Sequence, residues 1–276
     1  MAVDNKRFRH KKSLGQNFLK TESLLDLIAT SSAILNNETV LEIGPGQGAL
    51  TSKLLDKIKD NSGSKLICIE KDSRLIPFLK DKYHKEEGLG QIKIIEDDIL
   101  KFDTQNTIGW GNYKLIANIP YYITGAILEK FLESTNKPKL IIVMVQKEVA
   151  DRVISKNNKE TILSLATKFY GDSEILKVVK PGNFNPPPKV DSAILKIVTH
   201  EKYSNDKKLE EFYLNIVKSG LAHKRKKLIS NLKNFDGVFD WVKLFLELNI
   251  DNNTRGEDLG FEVWIKIAEN YSNKRQ

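Results

Sequence analysis

Short apolar runs and helical periodicities alternate along the first two hundred residues. Strand character occupies 39–44, 65–70, 92–96, 114–118 and 139–145, bounded by Gly, Asn, Asp and charged residues. Between the runs, apolar residues recur at three- and four-residue spacing over 48–59, 73–83 and 123–134, which predicts amphipathic helices. An earlier helix starts at Thr21, the expected N-cap, with Leu24, Leu25, Leu27 and Ile28 on its apolar face. Two more helices are predicted over 146–154 and 161–170, and a closing pair of strands over 175–180 and 192–198. Apolar strands separated by single helices predict an α/β fold, a parallel sheet with helices on both faces. Beyond about 199 the strand pattern stops, and helical patterns follow at 209–221, 226–232, 239–248 and 261–271. The expected organisation is a sheet domain over 1–200, led by a basic N-terminal arm, and a small all-helical domain over 201–276.

In a parallel sheet of this kind, ligands sit beyond the carboxyl ends of the strands. The residues there are informative. The first strand runs into Gly44-Pro45-Gly46-Gln47-Gly48, the second ends on Glu70 and Asp72, the third on Asp97 and Asp98, and the fourth on Asn118-Ile119-Pro120-Tyr121-Tyr122. Glycines at a strand–helix turn let the backbone approach a ligand with no Cβ in the way. Gly44, Gly46 and Ala49 also satisfy the relaxed dinucleotide fingerprint, with Glu70 as the ribose-binding acid. The turn therefore indicates a nucleoside-bearing cofactor and leaves its identity open. Glu70 suits ribose hydroxyls, and Asp98 is placed to accept from an exocyclic amine such as that of adenine. Each of these residues taken singly also fits a solvated strand end.

The chain has 276 residues and a net charge of +8. That excess favours a polyanionic partner. Residues 1–20 contain six basic residues against one acidic, so they hold +5 of it. Lys11 and Lys12 in this arm, and Lys224, Arg225, Lys226 and Lys227 at a helix start, are candidate phosphate contacts, although such clusters also occur on solvated faces. The single cysteine, Cys68, lies in an apolar run and reads as a core thiol. One cysteine and four scattered histidines offer no zinc-type spacing, so no structural metal is expected. The longest apolar run, 140–145, is too short to span a bilayer, and no apolar segment follows the basic N-terminus. A cytoplasmic monomer is the expectation.

Asn118-Ile119-Pro120-Tyr121 carries the most specific chemistry. An exocyclic adenine amine is a poor nucleophile because its lone pair is delocalised into the ring. Two acceptors on its hydrogens favour a more pyramidal nitrogen, and the Asn118 side-chain oxygen and the Ile119 carbonyl can supply them. Tyr121 can stack on the base. Orientation and electrostatic assistance then suffice, without a strong general base. A nicotinamide dehydrogenase has no use for such an arrangement. Further along, Phe184-Asn185-Pro186-Pro187-Pro188-Lys189-Val190 is a stiff extended segment. It would present Phe184 either as a stacking surface or as a plug in the core.

These motifs together resemble the KsgA family of ribosomal RNA adenine dimethyltransferases, and more loosely the erythromycin-resistance methyltransferases. The resemblance spans nearly the whole chain: Gly15-Gln-Asn-Phe-Leu19, Glu42-Ile-Gly-Pro-Gly-Gln-Gly48, Glu70-Lys-Asp72, Asp98-Ile-Leu100, Asn118-Ile-Pro-Tyr-Tyr122 and Phe184-Asn-Pro-Pro-Pro-Lys-Val-Asp-Ser192. Gln146-Lys-Glu-Val-Ala-Asp-Arg152, Lys189-Val-Asp-Ser192 and Asn253-Thr-Arg-Gly-Glu-Asp-Leu259 look like the housekeeping enzyme rather than the resistance enzyme. The resemblance implies a Rossmann-like class I methyltransferase sheet. It implies S-adenosylmethionine held by Gln16, Asn17, Leu19, Gly44, Gly46, Glu70, Asp98 and Asn118. It implies a target adenine framed by Asn118 and Tyr121, with Phe184 stacked on the other side. The implied reaction is dimethylation of N6 on two adjacent adenosines near the 3′ end of small-subunit (16S) ribosomal RNA, within a pre-assembled small subunit, using aromatics to receive bases that leave their stack. The rival readings are a resistance-type enzyme acting on large-subunit RNA and a non-catalytic assembly or RNA-binding factor. Two departures stand out. Asp97 replaces the glycine usual in the family, and 155–160 lacks the family's usual Pro-Gly.

Overall fold

A computed structural model describes residues 17–109 and 112–275. Among these the chain divides into two compact units, one formed by the described residues up to 147 with 176–196 and the other by 148–175 with those from 197 on. The division is discontinuous, where the sequence suggested a single boundary at 200. The predicted helices over 146–154 and 161–170 fall almost wholly in the second unit.

The first unit opens with β1 (Phe18–Leu19) and α1 (Glu22–Ser31). Thr21 stands at the N-cap of α1, but its hydroxyl donates to Asn183 Oδ1 at 2.8 Å instead of capping the helix. There follow β2 (Thr39–Ile43), α2 (Ala49–Lys59), β3 (Lys65–Glu70), α3 (Ile76–Lys82), α4 (His84–Gly88), β4 (Ile92–Glu96), α5 (Thr104–Ile108), β5 (Tyr113–Asn118), α6 (Thr124–Leu132) and β6 (Leu140–Gln146). β2 is buried at every position and β6 at all but its last, as the continuous apolar runs require for a sheet covered on both faces. The helix expected over 73–83 is two short helices that meet at Tyr83.

The next elements are α7 (Lys147–Val153), α8 (Ile162–Tyr170), β7 (Gly171–Val179), β8 (Phe184–Asn185) and β9 (Ser192–Thr199). Seven described strands form one sheet in the order β4-β3-β2-β5-β6-β9-β7. β4, β3, β2, β5 and β6 pair in parallel, with Ile43 opposite both Ile69 and Ala117. This register brings the carboxyl ends of three strands level. β1 and β8 form a separate antiparallel ladder of two residue pairs, Phe18 with Asn185 and Leu19 with Phe184.

The second unit is completed by α9 (Lys207–Gly220), α10 (Leu228–Phe235), α11 (Trp241–Glu247) and α12 (Phe261–Lys274). Its core is aromatic: Tyr213, Trp241, Phe245 and Trp264 are fully buried, and Trp241 stacks on Tyr271 at 5.3 Å. The atypical 155–160 segment is held by its own polar network. Glu160 accepts from the hydroxyls of Ser155 and Ser164, each at 2.7 Å, and from Lys168.

Candidate active site

The glycine turn after β2 is the centre of the site. Gly44, Gly46 and Gly48 all have positive φ, at 67°, 60° and 78°. Two independent donors hold the turn from behind. The Tyr83 hydroxyl donates to Gly48 O at 2.6 Å, and Lys82 Nζ donates to Gln47 O and Gly48 O at 3.1 and 3.3 Å. A Cβ at Gly48 would lie 2.5 Å from the Tyr83 hydroxyl, so the close approach admits only glycine.

From this turn the expected ligand residues run along one edge. Gly46 N donates to Glu70 Oε2 at 3.1 Å and Asp72 N donates to Glu70 Oε1 at 2.8 Å. Burial raises the Glu70 carboxyl above the usual range, while these backbone donors pull it back. Each oxygen keeps a further lone pair, which is what a vicinal diol requires of a carboxylate. Asp72 is committed elsewhere: Arg74 grips it with two hydrogen bonds of 2.8 and 2.6 Å. Asp97 N donates to Glu70 O at 3.1 Å, so the turn after β4 adjoins Glu70. In that turn Asp98 Oδ1 accepts from Leu100 N at 3.1 Å, and Oδ2 from Lys71 Nζ at 2.8 Å. The Lys71 ammonium holds the Asp98 carboxyl below its ordinary value. The side chain of Asp97, the departure from the family's glycine, accepts from Asp98 N at 2.6 Å. Lys130 on α6 donates to three carbonyls of the same turn, Ile99, Leu100 and Phe102, at 2.8, 3.2 and 2.7 Å.

On the other side of the glycine turn, the ideal Cβ position of Gly44 is 3.9 Å from Asn118 O. Asn118 ends β5. Pro120, at φ −56° and ψ 134°, leads the chain into a 3-10 turn over Tyr121–Ile123. Asn118 and Tyr121 are partly exposed, whereas Tyr122 is 67% exposed. The Tyr121 hydroxyl pairs with Ser192 Oγ at 2.5 Å.

The structure thus brings Gly44, Gly46, Glu70, Asp98 and Asn118 to one continuous strand edge. Leu19 is buried and Asn17 partly exposed. Their neighbour Phe18 meets the turn directly, since a Cβ at Gly46 would lie 2.5 Å from its Cε1. Gln16, Lys11 and Lys12 lie outside the described residues. Phe184 is a correction. It is 1% exposed and belongs to the apolar core with Leu19, Leu25, Ile28 and Ile194, so its ring offers no face to a base. The backbone pairing of β8 with β1 turns this side chain inward. Lys224, Arg225, Lys226 and Lys227 are exposed on the loop before α10, not within a helix, and Lys227 donates to Asn253 Oδ1 at 2.6 Å. Phe18, Lys71, Lys82, Tyr83 and Ser192 were not singled out from the sequence. Phe18, Lys71 and Ser192 carried a signal, because they sit inside the motifs.

The residues at this edge suit a nucleoside-bearing cofactor: a glycine turn free of side chains, one buried carboxylate with spare acceptors, and a second carboxylate one strand away. Among the described residues no group of three His, Cys, Asp or Glu is placed to hold a metal, and no helix is long and apolar enough to cross a membrane. Gly46→Ala tests the turn. A non-glycine residue at φ 60° costs about 1–2 kcal/mol, and the new methyl must displace Phe18 and disturb the Gly46–Glu70 bond. Cofactor affinity is expected to fall at least about 10-fold by equilibrium binding, with the fold retained by circular dichroism. Unchanged affinity would remove the turn from the site.

Known proteins resemble this chain over nearly its whole length. A family model described as ribosomal RNA adenine dimethylase matches residues 7–273. A protein from Fusobacterium nucleatum named ribosomal RNA small subunit methyltransferase A is 37% identical over 267 residues, covering 95% of this chain and 97% of the relative. One of the same name from Clostridium acetobutylicum is 36% identical over 271 residues, covering 97% and 95%. Among solved structures, a dimethyladenosine transferase from Plasmodium falciparum superposes with a TM-score of 0.78 at 25% identity, over 94% of this chain and 98% of that one. The 23S rRNA methyltransferase ErmE shares the fold, with a TM-score of 0.73 at 23% identity over 92% and 98%.

Proposed function

Because the chain belongs to the ribosomal RNA adenine dimethylase family, we propose that the edge built from Gly44, Glu70, Asp98 and Asn118 is where it methylates adenine. The chain is an S-adenosylmethionine-dependent ribosomal RNA adenine N6-dimethyltransferase, with the Rossmann-like sheet of its relatives. When bound, S-adenosylmethionine supplies the electrophilic methyl group.

The observation that carries the placement is the approach of Asn118 to the glycine turn at Gly44. A base facing Asn118 is therefore next to whatever the turn holds. The Asn118 side-chain oxygen and the Ile119 carbonyl accept from the two amine hydrogens and pull the nitrogen towards pyramidal geometry. Tyr121 lays its ring against the base. The nitrogen, held by Asn118 and the Ile119 carbonyl with its lone pair exposed, would accept the methyl group that bound S-adenosylmethionine supplies, and its surplus proton would pass to water. No side chain needs to act as a strong base. Glu70 is assigned to the ribose hydroxyls and Asp98 to the adenine amine of the cofactor, with Gly44, Gly46, Asn17 and Leu19 lining its seat. Exposed Lys224, Arg225, Lys226 and Lys227 are assigned to RNA phosphates.

The relatives' name points to small-subunit RNA, and the resemblance of the motifs implies the finer substrate. The targets are two adjacent adenosines near the 3′ end of small-subunit RNA, modified within a pre-assembled subunit, by a monomer in the cytoplasm. Transfer of labelled methyl groups to naked 16S RNA, assembled small subunits and large-subunit RNA, followed by mapping of the modified nucleotide, tests this. Label on N6 of adjacent adenines in the assembled small subunit is the expected result. Label on large-subunit RNA would select the resistance-type reading, and no label on any RNA would select a non-catalytic factor.

A further inference from the structure

We propose that Ser192 is a positioning residue for the reaction, anchoring the Tyr121 ring through its hydroxyl so that the face of the ring is fixed over the target base. The inference rests on the assignment of Tyr121 to the base.

Ser192 is the first residue of β9 and is fully buried, so its position is set by the sheet. A hydroxyl buried this completely requires a partner, and Tyr121, 71 positions away in sequence, supplies it at 2.5 Å. Tyr121 belongs to a different kind of structure, a three-residue 3-10 turn that follows a proline. Such a turn does little by itself to fix a ring. Its neighbour Tyr122, on the same turn, leaves 67% of its surface in solvent. Burial raises the Tyr121 phenol, and the bond to Ser192 offsets part of that rise, so the hydroxyl stays protonated and can serve as one end of the pair. The bond therefore ties the end of a short turn to a rigid strand.

The phenol is the point on the ring farthest from the backbone. Anchoring it removes the swing of the ring about χ1, and because a phenol O–H prefers the plane of its ring, a fixed partner also resists the turn about χ2 that would tilt the face. A stacking face held in one plane fixes the base, and hence the direction of the amine lone pair. Small displacements of a reacting group cost large factors in rate. Ser192 also lies four residues after Pro188, two beyond the end of the stiff segment Phe184–Val190. The anchor thus gives a role to a motif whose aromatic, Phe184, is packed into the core.

The test is a double-mutant cycle on the full chain. Tyr121→Phe and Ser192→Ala are each expected to lower kcat about 5-fold, the worth of one neutral hydrogen bond. The Kd for S-adenosylmethionine should be unchanged. The double variant should be no slower than either single one. RNA carrying 2-aminopurine at the target adenine supplies a second readout, with its quenching on wild-type protein reduced equally in both single variants. A packing role for Ser192 would instead slow the Tyr121→Phe background by a further full factor, and that additivity would overturn the inference. Tyr121→Ala separates the two levels. If it leaves methyl transfer intact, the assignment of Tyr121 to the base fails. If it is severely impaired while Ser192→Ala matches wild type, only the anchor fails.

Discussion

Asn118→Ala is expected to lower methyl transfer about 10²–10³-fold at saturating S-adenosylmethionine, the loss typical of one oriented polar contact to the reacting group. Asn118 ends β5, where register with β2 brings its main-chain carbonyl to 3.9 Å from the Cβ position of Gly44, and the proposed site puts the base against its side chain. Alanine keeps the strand and removes the acceptor. The Ile119 carbonyl remains but cannot by itself hold both amine hydrogens. Cofactor affinity should fall less than about 10-fold, because Glu70, Asp98 and the glycine turn are untouched. Single-turnover labelling of RNA, paired with equilibrium binding of the cofactor, separates these effects. A rate within threefold of wild type would falsify the placement of the base.

The second large effect is on stability. Glu42 lies in the middle of the sheet, 1% exposed, with Oε2 accepting from the Thr51 hydroxyl at 2.7 Å and from the Cys68 thiol at 3.3 Å. Burial pushes its carboxyl from 4.5 to about 7, against the pull of those two donors. A carboxyl raised by folding binds its proton more tightly in the native chain than in the unfolded one. Its contribution is therefore fully present below about pH 4.5 and is lost as pH rises to about 7. At about 1.4 kcal/mol per pH unit, the loss amounts to about 3 kcal/mol. Glu42→Gln keeps an acceptor for Thr51 and Cys68 and cannot ionise. Urea unfolding of the cofactor-free protein should show the variant about 3 kcal/mol more stable than wild type at pH 8, with the gain absent at pH 4.5. A wild-type-to-variant difference independent of pH would contradict the assignment.

The centre of the sheet was legible because β2, β3, β5 and β6 are buried on both faces and so read as nearly unbroken apolar runs, while β4 at the edge alternates. The predicted strand at 65–70 matches β3 and that at 92–96 matches β4 in every residue. The site was legible for a related reason. Strand ends are countable once strands are, and Gly44, Glu70, Asp98 and Asn118 lie at successive ends. What escaped has no period. β1 and β8 are two residues each, too short to alternate, yet their pairing turns Phe184 into the core. Tyr83 looked like the last residue of a helix. Its hydroxyl role depends on a contact with Gly48, 35 positions away, that no local pattern records. The discontinuous division of the chain likewise depends on packing between distant segments rather than on any change in composition.

Lys130 joins two halves of the site that the chain itself keeps apart. Its helix begins two residues after Tyr122, while its ammonium moors the carbonyls of the turn that carries Asp98. A tug on either end reaches the other through a single side chain. Occupancy by S-adenosylmethionine and docking of the acceptor base should therefore be felt mutually, each tightening the other by an equal factor. A lysine far from the chemistry would then act as the hinge pin of an ordered ternary complex.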